Sequence, residues 1–203
     1  PEFTGLRERL VMVSPYFVPG DEGVASMRRL RESGVRVRVV TNSLASTDEP
    51  AVYAGYEKYQ RPLLEAGIEL YELSPAAERE QTRTQSRKRD EDNPHGSGRS
   101  RGALHAKVLL FDCRSFFVGS MNLDPRSAFT NTEIGFVVDA PGEAAQLCAM
   151  LDRNLPQNAF RLELNKSQAG GPAVEWVGME DGREVRYASA PMTSAWLRFK
   201  SWF

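Results

Sequence analysis

Apolar and polar positions in the first third of the chain follow two periods in turn, which predicts alternating strands and helices. The runs RLVMVSPYF from Arg9, VRVRVVTN from Val35 and IELYEL from Ile68 have the β-rich or alternating pattern of strands. Two β-α-β units in series predict an α/β fold, with a mixed, largely parallel β-sheet flanked by helices. The apolar residues at helical spacing are Val24, Met27 and Leu30, and then Val52, Tyr56, Tyr59 and Leu63.

The later part of the chain predicts shorter strands and one further helix. LHAKVLLF and FFVGSMN indicate two strands joined by a tight turn at Asp112–Ser115, and NTEIGFVVD indicates a third. GEAAQLCAMLDRNL has the period of an amphipathic helix. AVEWVGMEDGREVRYAS is typical of a β-hairpin whose turn is Asp181-Gly182. The sequence contains no internal repeat, so each motif occurs once.

One domain over residues 4–203 fits this pattern and length, and two segments depart from it. Residues 77–102 mix both charges and hold almost no apolar side chain, so we interpret them as a flexible loop. Binding of anionic head groups by the arginines of this loop is the alternative. Pro1–Phe3 resembles the remnant of a cloning linker, so we exclude it from the fold and expect the natural protein to extend upstream.

The C-terminal part, residues 173–203, is expected to form the hairpin followed by an amphipathic helix. Its tail SAWLRFKSWF places Trp196, Phe199 and Trp202 at helical spacing, with basic residues between them. Basic and aromatic side chains in this arrangement are typical of a helix that lies at a membrane surface. Packing of the same helix against its own domain is an equally good interpretation.

Composition and charge narrow the classes of function. The 203 residues are 41% hydrophobic and 26% charged, and their net charge of -1 provides no basic field, so we expect no nucleic-acid partner. No apolar run approaches the roughly 18 residues of a spanning helix. Cys113 and Cys148 form neither a CxxC pair nor a disulfide framework, and we expect them to be buried, reduced thiols.

The segment LHAKVLLFDCRSFFVGSMN, residues 104–122, concentrates polar groups of complementary chemistry. His105 and Lys107 are two positions apart, so their side chains share one face of a strand. Ser120 and Asn122 do the same on the next strand. A hairpin can therefore gather an imidazole, a cation, a hydroxyl and an amide, a set that suits a phosphate group and the transfer of its protons.

The spacing of these residues resembles the HKD motif of the phospholipase D superfamily. Members of that superfamily exchange or hydrolyse phosphodiesters through a phosphohistidine intermediate without a metal, and no cofactor is implied. The resemblance assigns phosphate binding to Lys107 and Asn122, support of the phosphate to Ser120 beside Gly119, and a structural role to Asp112. The full motif reads His105-x-Lys107-x4-Asp112-x6-Gly119-Ser120-x-Asn122.

An imidazole that attacks phosphorus or protonates a leaving oxygen needs an acceptor at its other nitrogen, which fixes its tautomer and its direction. Glu133, in NTEIG at the start of the following strand, is the candidate for His105. The resemblance gives Glu133 the same role. By the habit of the family, a histidine in the second lobe serves more often as the acid than as the nucleophile.

The flanking segments narrow the resemblance to the bacterial cardiolipin-synthase branch, nearest to the C-terminal lobe of its third type. This branch implies a phosphatidyltransferase that acts on phospholipids, phosphatidylglycerol among them. It also implies a location at the surface of the bacterial inner membrane, which we expect to be the cytoplasmic side. The segments are SPYFVPG at Ser14, TNSLASTDEPAVYAGYEKYQRPLLEAGIELYEL from Thr41, NLDPRSAFTNTEIG from Asn122, and the C-terminal EWVGMEDGREVRYASAP.

The chain holds one such motif, whereas the reaction needs one histidine to attack and another to protonate the leaving alkoxide. Its other histidine, His95, has no lysine two positions later. We therefore expect half of an active site, completed by an upstream HKD lobe of the same parent chain or by a second copy in a homodimer. A phospholipase D hydrolase, a homodimeric nuclease of the superfamily and a non-catalytic membrane-binding module are the alternatives.

Overall fold

A mixed β-sheet with helices on both faces organises the computed structural model, which describes residues 5–75, 104–125, 127, 130–165 and 171–193. The helices are α1 (Gly20–Glu32), α2 (Pro50–Glu65) and α3 (Pro141–Asn158). The strands are β1 (Arg9–Val13), β2 (Arg36–Asn42), β3 (Glu69–Leu73), β4 (Val108–Phe111), β5 (Ser115–Gly119), β6 (Gly135–Asp139), β7 (Ala159–Asn165), β8 (Ala173–Glu180) and β9 (Arg183–Tyr187). In the sheet they follow the order β6-β5-β4-β1-β2-β3-β7-β8-β9.

Helices cover both faces of the sheet because its central strands are apolar on both sides. On β1, Leu10 and Met12 belong to the core that includes α1 and α2, whereas Val11 and Val13 belong to the core that includes α3. A strand buried on both faces explains the uninterrupted apolar run at this position of the sequence. The cluster formed with α1 and α2 is the larger of the two.

The helices and the C-terminal hairpin predicted from the sequence are confirmed. Val24 and Met27 are the buried residues of α1, and Tyr56 and Leu63 are buried on α2. The hairpin between β8 and β9 turns at Asp181 (φ 49°) and Gly182 (φ 76°). Positive φ at both central residues is what the Asp-Gly sequence favours. The proposed loop over residues 77–102, Pro1–Phe3 and the tail with Trp196 and Trp202 lie outside the described residues.

The expectation of a mixed α/β sheet is confirmed, but the expectation that it is largely parallel is wrong. Among the described strands, β1 with β2 and β2 with β3 pair in parallel, and the other pairings are antiparallel. β6, α3 and β7 also follow one another along the chain, but β6 and β7 are not neighbours in the sheet. Later neighbours such as β4 and β5 are joined by turns, which are too short for a parallel crossover.

Strand β7 was not predicted, although it lies between β3 and β8 in the sheet. It follows α3 directly, so the helical pattern that ends in Leu155 obscured it. A signal for this strand exists in AFRLELN, where Phe160, Leu162 and Leu164 alternate with polar residues. Of these, Phe160 and Leu162 are buried in the core next to α2.

The prediction of two reduced thiols is wrong, because Cys113 and Cys148 are joined by a disulfide bond, with their Cα atoms 6.0 Å apart. They are 35 residues apart in sequence, a separation that no spacing rule connects. Cys113 lies in the turn between β4 and β5, and Cys148 lies on the buried face of α3. The bond therefore ties that turn to α3, and disulfides of this kind persist in oxidising compartments.

A buried carboxyl group on β3 links helix α2 and strand β8 to the sheet. Glu72 on β3 is fully buried and accepts hydrogen bonds from Gln60 Nε2 (2.9 Å), Trp176 Nε1 (2.9 Å) and the Tyr53 hydroxyl (3.2 Å). These donors come from α2 and β8, so the cluster links both elements to β3. Loss of hydration on burial raises the pKa of Glu72 to about 8, although the three hydrogen bonds favour its charged form.

This raised pKa makes the stability of the fold depend on pH. Between the ordinary value of 4.5 and the folded value of about 8, the folded chain holds a proton that the unfolded chain releases. The stabilisation is therefore complete below the unfolded pKa and is lost as pH rises through the folded one. We expect the free energy of unfolding, measured by urea titration, to fall between about pH 5 and pH 8.

Glu72→Gln, uncharged at every pH and similar in shape to a protonated glutamate, should remove most of this slope. Glu32→Gln changes an exposed carboxyl at the end of α1 and should leave the slope as it is. Equal slopes for the wild type and Glu72→Gln would contradict the assignment of the proton to Glu72.

The disulfide bond is expected to stabilise the fold by about 2–4 kcal/mol, because it restricts the unfolded chain. Reductant should therefore lower the denaturant midpoint of the wild type. The double variant Cys113→Ser, Cys148→Ser should begin at the lower midpoint and not respond to reductant. A wild-type midpoint that reductant leaves unchanged would show that the bond is not formed or does not contribute to stability.

Candidate active site

The antiparallel and parallel pairings bring the ends of several strands to one edge of the sheet. β1 and β2 end there, β4 and β6 begin there, and β5 ends there, as their registers require. The candidate residues lie just beyond these ends. They are His105 and Lys107 before β4, Ser120 and Asn122 after β5, and Glu133 before β6.

The structure corrects the predicted strands at this edge, because β4 begins at Val108 and β5 ends at Gly119. His105 and Lys107 therefore lie in an extended segment ahead of the strand rather than within it. The last contact of the hairpin joins the Gly119 N–H to the carbonyl oxygen of Lys107 at 3.3 Å. Before β4 begins, the Leu104 N–H donates to the side-chain Oδ1 of Asn42, the last residue of β2, at 3.3 Å. This bond goes to a side chain and not to the backbone of an adjacent strand.

Histidine and lysine are both accessible at this edge. The side chain of His105 is exposed, and Lys107 is half-buried. The Lys107 ammonium donates to the backbone oxygen of His105 at 3.1 Å, which keeps the cation close to the His105 backbone. Its positive charge also acts on Glu133 and helps to lower the pKa of that carboxyl.

Ser120 is held by hydrogen bonds to the start of β6. Its N–H donates to the Ile134 carbonyl oxygen at 2.8 Å, and its hydroxyl oxygen accepts from the Ile134 N–H at 3.0 Å. The hydroxyl donates to Glu133 Oε2 at 2.5 Å. This bond is the main reason why the pKa of Glu133 lies below its ordinary value, so the carboxyl is charged near neutral pH.

Glu133 contacts the serine rather than the histidine in this structure. Its second oxygen, Oε1, accepts from Asn131 Nδ2 at 3.3 Å. Within the described residues no hydrogen bond joins Glu133 to His105, so the expected orienting role stays a prediction. Asn131 was not predicted as a site residue. Its position in NTEIG, two residues before Glu133, was the available signal.

Two glycines permit the close approach of β5 and β6 next to the site. A Cβ atom on Gly119 would lie 2.5 Å from the Ile134 carbonyl oxygen and 2.8 Å from Gly135 Cα. A Cβ atom on Gly135 would lie 2.2 Å from the ring of Phe117. Gly119 therefore supports the site through the space that it leaves, since a side chain there would push Ser120 away from Ile134.

The segment after Asn122 is anchored to the loop that follows β1. The Leu123 N–H donates to Tyr16 O at 3.1 Å and to Ser14 Oγ at 3.2 Å, and Leu123 O accepts from the Val18 N–H at 2.7 Å. The SPYFVPG segment therefore fixes the position of Asn122. The side-chain Oδ1 of Asn122 is buried and has no hydrogen-bond partner among the described residues.

Asp112 lies at the opposite end of the hairpin from His105, and its expected role stays a prediction. Its carboxylate accepts hydrogen bonds from the backbone N–H groups of Arg7, Glu8 and Arg9, at 3.0, 2.8 and 2.8 Å. Burial alone would raise the pKa of Asp112, but these three donors hold it below its ordinary value. The residue therefore fixes the turn against the entry to β1.

This edge of the sheet carries an imidazole, an ammonium group, a hydroxyl and an amide. It also carries the carboxylate of Glu133, which is hydrogen-bonded to Ser120. Cationic and neutral donors of this kind bind the non-bridging oxygens of a phosphate. Within the ranges that the structure describes, no three His, Cys, Asp or Glu side chains gather as a metal site would require. In the same ranges, no helix has the length and hydropathy of a membrane span.

The family described as "Cardiolipin synthase, PLD-like domain" matches residues 4–155. The chain belongs to this family. The resemblance drawn from the HKD motif is thereby confirmed. The chain is also 37% identical over 196 residues to cardiolipin synthase C of Escherichia coli, which covers 94% of this chain and 38% of that protein. It thus spans little more than a third of the length of that relative.

Solved structures of low sequence identity share the fold of this PLD-like domain. Phosphatidylserine synthase of Haemophilus influenzae has a TM-score of 0.54 and 16% identity, over 78% of this chain and 35% of that one. The phospholipase D family member Nuc of Salmonella typhimurium has a TM-score of 0.50 and 18% identity, over 73% of this chain and 78% of that one. At these identities the likeness establishes the fold alone.

Gly119→Ala is expected to lower the free energy of unfolding by about 1–3 kcal/mol, because the added methyl group would overlap backbone atoms of β6. Gly142→Ala is the matched control. Gly142 lies in the first turn of α3, a Cβ atom there would contact nothing within 4 Å, and alanine favours the helix. Denaturant unfolding of both variants measures the difference, and equal effects would contradict the packing argument.

Proposed function

We propose that the chain is the C-terminal catalytic lobe of a cardiolipin synthase-like phosphatidyltransferase. The observation that carries the proposal is the placement of His105, Lys107, Ser120 and Asn122 at one edge of a sheet that belongs to the cardiolipin synthase PLD-like domain family. The identity of 37% to a cardiolipin synthase over nearly the whole chain supports the choice of substrate class.

In the proposed reaction, an imidazole nitrogen attacks the phosphorus of phosphatidylglycerol. A nitrogen–phosphorus bond forms, and the bond from phosphorus to the oxygen of the headgroup glycerol breaks. A second histidine protonates this leaving alkoxide. The second histidine then takes the proton from the hydroxyl of an acceptor phospholipid, whose oxygen attacks the phosphorus. The new phosphorus–oxygen bond replaces the nitrogen–phosphorus bond, which frees the first histidine and releases cardiolipin. Water in place of the acceptor would give phosphatidic acid, the product of the hydrolase alternative.

The residues of this lobe have different proposed roles around the phosphate. Lys107 and the amide N–H₂ of Asn122 bind the non-bridging oxygens, and Ser120 supports them. The buried Oδ1 of Asn122, which has no partner among the described residues, is an acceptor for a substrate hydroxyl. Glu133 orients the imidazole of His105, which requires its carboxylate to exchange its bond to Ser120 for one to His105.

One lobe supplies one of the two histidines that this scheme needs. His95, the other histidine of the chain, lies outside the described residues and lacks the lysine of the motif. The second histidine therefore comes from an upstream HKD lobe or from a second copy of the chain. By the habit of the family, His105 is the acid that protonates the leaving group.

Phospholipid substrates stay in the bilayer, so the lobe has to work at a membrane surface. We propose peripheral contact with the bacterial inner membrane. Reduced thiols would have been consistent with the expected cytoplasmic side, but Cys113 and Cys148 form a disulfide bond and give it no support. Double replacement of Trp196 and Trp202 by alanine tests the proposed role of the tail in liposome binding.

The test is product analysis, with phosphatidylglycerol vesicles, of a protein that carries this lobe together with the proposed second one. In these vesicles phosphatidylglycerol is both the donor and the acceptor phospholipid, so a synthase would form cardiolipin and free glycerol. His105→Ala should lower turnover by about 10²–10⁴-fold or more, with an unchanged circular-dichroism spectrum, because a reacting or proton-transferring group is lost. His95→Ala, the control, should keep wild-type turnover.

Each outcome distinguishes between the candidate functions. Phosphatidic acid without cardiolipin would favour the hydrolase over the transferase. No turnover of phosphatidylglycerol by the intact protein would overturn the proposal that the substrate is a phospholipid. Full activity of His105→Ala would overturn the assignment of this histidine.

A further inference from the structure

Asn42, the last residue of β2, is a buried polar residue beside the candidate site, and the proposed reaction does not use it. Its side chain is only 2% exposed. The side-chain Nδ2 donates to the Pro15 carbonyl oxygen at 3.5 Å, and Oδ1 accepts from the Leu104 N–H at 3.3 Å. A buried amide is costly unless its polar groups are hydrogen-bonded, so these two contacts account for an asparagine at this position.

The place of Asn42 in the sheet explains how it reaches both partners. The last paired residues of β1 and β2 are Val13 and Val40, and β2 continues for two more residues. In the sheet β1 lies between β2 and β4, so β2 and β4 are two strand spacings apart. This separation of about 10 Å is too large for a backbone hydrogen bond between them. Beyond the end of β1, the side chain of Asn42 bridges the gap to the segment that precedes β4.

The segment that Asn42 reaches is the one that carries His105. Leu104 to Lys107 precede β4 and belong to none of the described strands. At the C-terminal end of this segment, the Lys107 carbonyl oxygen accepts from the Gly119 N–H at 3.3 Å. At its N-terminal end, the bond to Asn42 holds Leu104. His105 lies between these two anchors, so loss of the Asn42 bond would release the backbone on one side of the imidazole.

The other partner of Asn42 belongs to the loop that also holds the segment of Asn122. Pro15 lies in SPYFVPG, and the residues on either side of it both accept a hydrogen bond from the Leu123 N–H. Asn42 therefore connects the segment of His105 to the loop that anchors Asn122. The separation between these two sides of the candidate phosphate site depends on a single side-chain amide.

We propose that Asn42 is a positioning residue of the phosphoryl-transfer site, which fixes His105 relative to Asn122 without touching the phosphate. This role rests on the proposed function, because it concerns the geometry of that reaction. A reacting group has to be held close to its target, and a displacement of about 1 Å can lower the rate by about 10²-fold. An amide suits the position because it donates to one segment and accepts from the other.

The first test measures turnover by a protein that carries this lobe together with the proposed second one. Asn42→Leu keeps the approximate size of the side chain but removes both polar groups. With phosphatidylglycerol vesicles it should lower kcat by about 10–100-fold and leave KM close to that of the wild type, because the imidazole is displaced while the groups that bind the phosphate remain. A purely structural role would instead lower the amount of folded protein and leave the kcat of the folded fraction unchanged.

Thr41→Val is the matched control. Thr41 is buried next to Asn42 at the end of β2, and its hydroxyl donates to the same Pro15 carbonyl oxygen at 3.4 Å. In the part of the chain that the structure describes, it makes no hydrogen bond to the segment of His105. This variant should keep the kcat of the wild type, and circular dichroism should show that both variants fold.

Hydrogen exchange of this chain without substrate tests the same bond independently of turnover. The Leu104 N–H should exchange about fivefold faster, or more, in Asn42→Leu than in Thr41→Val, because a typical hydrogen bond contributes about this factor to local opening. Equal exchange of Leu104 in the two variants, or equal kcat values, would overturn the positioning role. A wild type that turns over no phospholipid would overturn the proposed function, and the exchange rates would decide separately whether Asn42 holds the segment.

Discussion

The antiparallel pairing of β4 with β1 decides where the chemistry of this lobe can take place. β1 and β2 run in parallel and end at the same edge of the sheet, and the reversed direction of β4 makes it begin at that edge. The segment with His105 and Lys107 therefore meets the loop that follows β1, although almost a hundred residues separate them. Asp112 fixes the other end of β4 by accepting three backbone hydrogen bonds from Arg7, Glu8 and Arg9. The register that positions the histidine thus depends on a carboxylate at the opposite end of the strand.

The same pairing explains why the site can be shaped by side chains that take no part in a reaction. Gly119 and Gly135 let β5 and β6 approach closely, and this approach lets Ser120 bond to Ile134 and Glu133. The disulfide at Cys113 connects the turn of the hairpin to α3. α3 is also attached through Asp152, which binds two arginines of the sheet, so the hairpin is held from one face of the sheet. The candidate site is in this way positioned by packed strands and a helix.

The sequence predicted that the candidate residues lie near one another more readily than it predicted the strand pairing of the sheet that carries them. The HKD spacing is local, and its residues fall together because one hairpin joins them. The β-α-β pattern identified β1 to β3, yet pairing partners far apart in sequence, such as β1 with β4 or β3 with β7, leave no periodic signal. The same reason hid the disulfide, because the proximity of Cys113 and Cys148 follows from packing of α3 on the sheet. The strands β4 and β5 are shorter near the site than predicted. Apolar alternation does not show where the hydrogen bonding between two strands stops.

Exposure of His105, the candidate nucleophile or acid, determines what the proposed transfer reaction still requires. A transferase has to favour an acceptor alcohol over water at an activated phosphate, and water at tens of molar competes unless the site excludes it. In the described part of the chain the His105 side chain is exposed. In the proposed enzyme, the second lobe would cover His105 and would supply the second histidine. Selectivity for transfer and completion of the site would then have the same structural cause, so a variant that prevents docking should lose cardiolipin formation before it loses lipid binding.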